Sequence, residues 1–197
     1  MVKDRGESGV GVEVCNVGWG WVGIAWSERG LVKVTLPQPA EAEALEQLPQ
    51  PSPGCQPSGL DVAALVDKLR RYFAGEAVVF DEPLDPAVGT SFQRRVWALT
   101  RAIPRGKTHS YGELGLKAGS PGAARAVGQA MARNPWPVVV PCHRVVGSDG
   151  SLTGFGGGVA MKERMLLMEG APQRGCTNDL SVTELEPSWC SAIPGRR

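Results

Sequence analysis

The sequence predicts an α/β chain of the α+β kind: a small N-terminal unit of antiparallel strands and a helix, followed by a mostly helical unit built on a helix-turn-helix. Two observations carry this. Before residue 40, short β-prone runs alternate with turn compositions; after residue 88, apolar residues recur at helical spacing between residues that start and stop helices. A third supports the division. Between residues 90 and 135 the bases Arg94, Arg95, Arg101, Arg105, Lys107, Lys117, Arg125 and Arg133 face the single acid Glu113, whereas Glu41, Glu43, Glu46, Asp81, Glu82 and Asp85 precede that stretch.

Residues 12–17, 20–26 and 31–36 are the β-prone runs, separated by Gly18-Trp19-Gly20 and Ser27-Glu28-Arg29-Gly30, and they predict an antiparallel meander. Residues 37–59 carry many prolines and predict an irregular loop, broken by one short helix across 40–48. Leu60, Ala64, Leu65, Lys68, Leu69 and Phe73 fall at helical spacing, with Gly75 closing the pattern. Residues 77–80 predict a last strand. The unit shows no catalytic constellation and is expected to act as a scaffold.

In the second unit, Thr90 or Ser91 caps a helix whose apolar face is Phe92, Val96, Trp97, Leu99 and Ile103, and Pro104 ends it. Ser110 caps a short helix through Lys117. Gly119-Ser120-Pro121-Gly122 then forms a turn, with the proline placed to start a helix over 123–132. Two short helices joined by a glycine-containing turn are a helix-turn-helix pattern.

The second of these helices is poor in side chains. A helix that reads base edges in the major groove carries several Arg, Asn or Gln residues. Ala123, Ala124, Ala126 and Gly128 cannot do that, but they permit close backbone approach to a narrower groove, from which Arg125 would project alone. An alanine-rich helix packed tightly against its neighbours is the other reading, as a solvated basic face is for the cationic segment.

Residues 136–140 form an apolar run of β type leading into Pro141-Cys142-His143-Arg144-Val145-Val146. A thiol becomes a strong nucleophile as thiolate, and a neighbouring imidazole is one means of making it so. Taken alone, the pair is equally a small buried hydrophobe beside a satisfied core histidine. Beyond a turn at 147–150 comes Gly154-Phe155-Gly156-Gly157-Gly158. No Lys-Ser or Lys-Thr follows it, so it is not a GxxxxGK phosphate loop; glycines here let backbone amides approach a flat ligand. A last helix, 159–168, buries Met161, Met165, Leu166 and Met168 and ends at Glu169-Gly170.

The 197 residues, 42% of them hydrophobic, suffice for one domain or two small ones. No apolar run approaches the roughly 20 residues that cross a bilayer, and residues 1–9 lack the apolar centre of a signal peptide, so an intracellular protein without membrane attachment is expected. Five cysteines, at 15, 55, 142, 176 and 190, are odd in number and form no CxxC pair. A disulfide framework and a zinc ribbon are disfavoured, and with His109 and His143 as the chain's imidazoles no metal site is predicted. The net charge of +1 hides the basic segment, which suits a surface that meets phosphate.

The segment from Tyr111 to Gly170 resembles the O6-alkylguanine-DNA alkyltransferases, also called methylated-DNA–protein-cysteine methyltransferases. The resemblance rests on Tyr111-Gly112-Glu113-Leu114, the Ala-Ala-Arg-Ala-Val-Gly helix, Asn134-Pro135, Pro141-Cys142-His143-Arg144-Val145-Val146, and Gly154-Phe155-Gly156-Gly157-Gly158 leading to Lys162-Glu163 and Glu169-Gly170. It implies an RNase H-like N-terminal unit over 1–86, a winged-helix DNA-binding and alkyl-acceptor unit over 87–172, and an extension over 173–197 containing Cys176 and Cys190, expected to be loosely ordered.

The same resemblance implies a mechanism. The helix-turn-helix binds duplex DNA through the minor groove; Arg125 fills the space left by the extruded guanine, and Tyr111 helps rotate the nucleotide. Cys142 takes the alkyl group from O6 of guanine, and from O4 of thymine, by in-line displacement. His143 deprotonates the thiol through a water and is held by Glu169, while Asn134 fixes the turn beside the nucleophile. The protein is consumed after one turnover, needs no cofactor, and acts as a monomer in the cytoplasm, or the nucleus of a eukaryote. Phe155 and Gly156 stand where the family often carries Tyr and Ser, which implies an altered rate or lesion range. The zinc site of some relatives lacks its ligands here. Two other readings stay open: a lesion-binding relative without catalysis, against which Cys142 stands, and a Cys-His-Glu hydrolase, which leaves the helix-turn-helix unexplained.

Overall fold

The computed structural model describes residues 9–52, 55 and 59–171. The extension with Cys176 and Cys190 lies outside the described residues. The meander is present as β1 (Gly11–Asn16), β2 (Trp21–Ser27) and β3 (Gly30–Val34), paired antiparallel in that order, with a register shift at Ala25/Trp26. β2 is buried on both faces, because α1 (Glu41–Glu46) packs on one of them. Gly23 makes that approach possible: a Cβ there would lie 2.9 Å from the Ala44 carbonyl oxygen.

α2 (Val62–Phe73) is started by Asp61, whose carboxylate accepts the Ala64 N–H at 2.9 Å. It ends at Gly75, whose φ of +96° lets the next amide, that of Glu76, bond back to Arg71. Leu65, Val66, Leu69, Tyr72 and Phe73 form its buried face.

Residues 77–80 are not a strand. The carbonyls of Phe80 and Glu82 are taken by the Arg101 guanidinium, and those of Gly75 and Glu76 by Arg105, while Val79 is 79% exposed. The open edge of β3 is met only further on, where Leu84 bridges Leu31. Elsewhere that edge is closed by the second unit: Val34 N–H donates to Pro135, and the Trp136 indole donates to the Leu31 carbonyl, both at 2.8 Å.

α3 (Ser91–Arg101) is capped by Thr90, which exchanges bonds with Gln93. β4 (His109–Ser110) precedes α4 (Tyr111–Lys117), where Ser110 and Glu113 repeat that exchange. α5 (Ala124–Ala132) follows a turn with Gly119 and Gly122 at positive φ. Pro121 therefore lies in the turn, and Ala123 is the N-cap residue. α3, α4 and α5 pack on one another, and Trp97 from α3 stacks edge-on against Trp136 at 5.3 Å.

Residues 136–140 are a turn rather than a strand. Val140 N–H bonds to the Trp136 carbonyl at 2.7 Å, which closes the chain on itself. A short 3₁₀ turn, Cys142–Arg144, then leads to β5 (Val145–Val146), which pairs in parallel with β4, and α6 (Gly158–Met168) covers it. The β4–β5 pair brings the start of α4 beside the Cys-His stretch. One hydrophobic core runs through both units, from Cys15 and Ile24 to Trp136 and Met165. Among the described residues no helix is long and apolar enough to cross a membrane.

Candidate active site

The turn before Cys142 is strained. Val138 has φ of +75°, a region that β-branched residues rarely enter, at a cost of about 1–3 kcal/mol. Asn134 holds it there with both ends of its amide. Nδ2 donates to the Val140 carbonyl at 2.8 Å, and Oδ1 accepts the Trp136 N–H at 3.1 Å. Cys142, 8% exposed, thereby lines a cavity of about 80 Å³ with Leu36, Met131, Ala132, Asn134, Pro137, Phe155 and Gly156. A Cβ at Gly156 would lie 3.8 Å from Leu36, an ordinary contact, so the wall there would also admit a small side chain.

His143 is fully buried, and its Nε2 meets Glu169 Oε1 at 2.9 Å. Arg144 donates Nε to Oε2 and Nη2 to Oε1, each at 2.8 Å, so the carboxylate is gripped by a bidentate pair. Tyr72 adds its hydroxyl to Oε1 at 2.7 Å. Burial by itself would raise the Glu169 carboxyl, but the bonds from His143 and Arg144 outweigh it and hold the group well below the usual carboxylate range.

Burial acts in the opposite sense on the imidazole. It pushes His143 below its ordinary value, with the neighbouring carboxylate opposing. Near neutral pH the couple is therefore a neutral imidazole donating Nε2–H to a carboxylate, and the tautomer leaves Nδ1 as an acceptor. Nδ1 is buried and has no hydrogen-bond partner among the described residues. Burial also raises the Cys142 thiol, while Asn134 and the Lys162 ammonium oppose this. At rest the site holds a protonated thiol beside an unprotonated base. A standing thiolate is not what the geometry favours.

Lys162 is buried too. Its ammonium donates to the carbonyls of Val145 at 2.7 Å and Thr153 at 3.2 Å, which ties α6 to the glycine loop. Burial lowers its value, and Cys142 partly offsets this. Thr153 in turn donates its hydroxyl to Tyr111 Oη at 3.0 Å.

A second, larger cavity of about 360 Å³ is lined by Tyr111, Ala124, Arg125, Gly128, Thr153 and Gly154. The loop at 153–156 thus borders both cavities. Arg125 is exposed and makes no hydrogen bond or ion pair with the described residues. Ala126 is exposed outside the cavity, and Ala123 is half-buried at the head of α5.

Cys142, His143, Glu169 and Asn134 therefore converge on one place, with Phe155 and Gly156 across from the thiol; Tyr111, Arg125, Ala124 and Gly128 form the neighbouring wall. The N-terminal unit reaches the site through Leu36 in the thiol cavity and Tyr72 on the carboxylate. One expectation is corrected. The basic segment is not one phosphate-facing surface, because Arg95 donates to Ala118 while Arg101 and Arg105 are spent on backbone carbonyls, mostly of the N-terminal unit. Tyr72 escaped the sequence reading because its partners are 71 and 97 residues away. Arg144 carried a signal in lying within the Pro-Cys-His-Arg run, but its partner is 25 residues distant.

Residues 91–171 match the family described as 6-O-methylguanine DNA methyltransferase, DNA binding domain. The chain is similar to a methylated-DNA–protein-cysteine methyltransferase of Mycolicibacterium paratuberculosis, 53% identical over 107 residues, which are 54% of this chain and 64% of that protein's own length. The one from Mycobacterium leprae is 47% identical over 128 residues, 64% of this chain and 77% of that protein. Among solved structures, Mycobacterium tuberculosis OGT in complex with DNA aligns with TM-score 0.66 and 40% identity, covering 82% of this chain and 94% of that one.

Proposed function

Because the chain belongs to the family of 6-O-methylguanine DNA methyltransferases, we propose that it repairs DNA by direct reversal, moving the alkyl group of O6-alkylguanine onto its own Cys142. One observation carries the proposal: a buried Cys142 thiol is followed by a histidine whose Nε2 is held by Glu169 and whose Nδ1 has no partner among the described residues.

Nδ1 accepts the thiol proton through one water as the sulfur attacks the alkyl carbon on the side away from O6. The C–S bond forms, the C–O bond breaks, and its electron pair stays on O6. Restored guanine carries a proton on N1 that the O6-alkylated base lacks, and the proton taken from the thiol meets that need. The product is a thioether, which no group in the site can expel, so each molecule reacts once. O4-alkylthymine, with the same alkoxy carbon, is a second substrate.

Duplex DNA lies along the α4–α5 face with its minor groove toward Ala124, Ala126 and Gly128, where short side chains admit the backbone. Arg125 takes the place of the extruded nucleotide, and Tyr111 guides that nucleotide to the thiol cavity. Asn134 keeps the strained turn that aims Cys142, and Phe155 and Gly156 form the wall against the base. In this division of labour residues 1–86 support the site and 87–172 bind DNA and accept the alkyl group. The protein works as a monomer, in the cytoplasm.

The test is incubation with duplex DNA containing O6-methylguanine. The peptide containing Cys142 is expected to gain the mass of one methyl group, with no more than one transfer per molecule, and Cys142→Ala to accept none. Full transfer by Cys142→Ala, or none by the native chain, would overturn the proposal.

A further inference from the structure

Tyr72 comes from α2 in the N-terminal unit, yet it meets the chemistry of the second unit at a single atom. Its hydroxyl donates to Glu169 Oε1 at 2.7 Å and stands 3.3 Å from His143 Nε2. Oε1 thus receives three donors: Tyr72 Oη, His143 Nε2 and Arg144 Nη2. A carboxylate oxygen offers about two lone pairs, so three donors compete for its charge. Each one weakens the pull of Oε1 on the others. With the Tyr72 proton directed at Glu169, the free lone pair of Oη faces the Nε2–H edge of the imidazole.

Packing holds the hydroxyl in place. Tyr72 is 1% exposed, and its ring lies edge-on to Phe73 at 5.2 Å and Phe80 at 5.8 Å. Burial and then the charge of Glu169 keep it protonated far above the ordinary tyrosine range, so it remains a donor at any working pH. The other charged groups around the couple are Arg144 on the 3₁₀ turn, Lys162 on α6, and Arg105 after α3, whose guanidinium bonds the Gly75, Glu76 and Met168 carbonyls. Arg144 and Lys162 are cations that oppose an imidazolium, and Arg105 acts on the Tyr72 hydroxyl.

We propose that Tyr72 is a positioning residue of the alkyl-acceptor site, its hydroxyl moderating the basicity of Glu169 Oε1 so that His143 stays neutral in the Nε2–H form, with Nδ1 ready for the thiol proton. The inference rests on the alkyl-transfer reading. Without the hydroxyl, Oε1 recovers charge and pulls harder on Nε2–H. An imidazolium then persists to higher pH, and the base is occupied over a wider acid range. The N-terminal unit would in this way set the pH at which the nucleophile can be used.

The experiment compares the native full-length chain with Tyr72→Phe, following methyl transfer to Cys142 from duplex O6-methylguanine, and benzyl transfer from free O6-benzylguanine, between about pH 5 and pH 9. Tyr72→Phe is expected to shift the acid limb of both profiles upward by about half a pH unit, a roughly threefold loss of rate on that limb. The alkaline plateau and the affinity of the unreacted protein for DNA stay the same. Replacing Tyr72 by 3-fluorotyrosine, a stronger donor of nearly equal size, is expected to move the limb the other way. Superimposable pH profiles, or a loss confined to the duplex substrate, would overturn the inference. So would a uniform fall at every pH accompanied by a lower melting temperature. Absence of transfer by the native chain is a separate result, which overturns the alkyl-transfer reading itself.

Discussion

The couple around Glu169 and the outer face of α5 obey opposite rules. At Glu169 every carboxylate oxygen is engaged, by Tyr72, His143 and Arg144, and the side chain is shut off from solvent. On α5 the useful property is lack of substance: Ala124, Ala126 and Gly128 present almost nothing, and Arg125 extends without a partner among the described residues. Buried polar groups gain strength from low dielectric but must be fully satisfied. The duplex-facing surface proposed on α5 needs no internal partners, only the absence of bulk. Damage to the first region should therefore register in stability and chemistry together, and damage to the second in DNA handling alone.

The largest expected effect is at the carboxylate. Glu169→Gln sets amide hydrogens against the Arg144 guanidinium and removes the charge that holds it, which should destabilise the fold by about 3–5 kcal/mol in denaturant titration. Methyl transfer at neutral pH should fall by about a hundredfold. The pH dependence has a definite sign. Because the folded Glu169 carboxyl lies below its unfolded value, its contribution is present above about pH 4.3 and is lost as pH falls. The stability gap between native chain and variant should thus narrow below about pH 4. His143, also depressed in the fold, makes the native chain lose stability as pH falls below about 6.5, where only the unfolded chain takes up the proton.

Arg125→Ala should separate the two regions most cleanly. Transfer from duplex DNA is expected to drop at least about tenfold, with transfer from free O6-benzylguanine unchanged and stability within about 0.5 kcal/mol. Equal loss on both substrates would break the comparison. A smaller effect, a fall of a few-fold in DNA affinity at low salt with a shallower salt dependence, is expected from Ala126→Glu, which sets a negative charge against phosphate, a repulsion that salt screens; unchanged binding would place the DNA elsewhere.

Much of the fold was legible because its signals are local. The β1–β3 meander, the α2 helix closed by Gly75 and the helix capped by Thr90 depend on residues within a few positions of one another. The sequence reading went wrong where hydrogen-bond partners are remote. Residues 77–80 have β-prone composition, but Arg101 takes nearby carbonyls, and the edge of β3 is met only at Leu84. Residues 136–140 read as a strand by composition, yet the Asn134 amide folds them into a turn that forces Val138 to a φ of +75°.

The sequence by itself determined which reactive groups this protein owns. A thiol, an imidazole and a carboxylate follow from residue type, and Pro141-Cys142-His143 places two of them side by side along the backbone. Tertiary structure alone decided their state: a protonated thiol, a neutral Nε2–H imidazole and a carboxylate held ionised. Those properties depend on burial and on the bonds that join His143 and Arg144 to Glu169, 26 and 25 residues away, and a linear pattern records neither desolvation nor partners brought together by the fold.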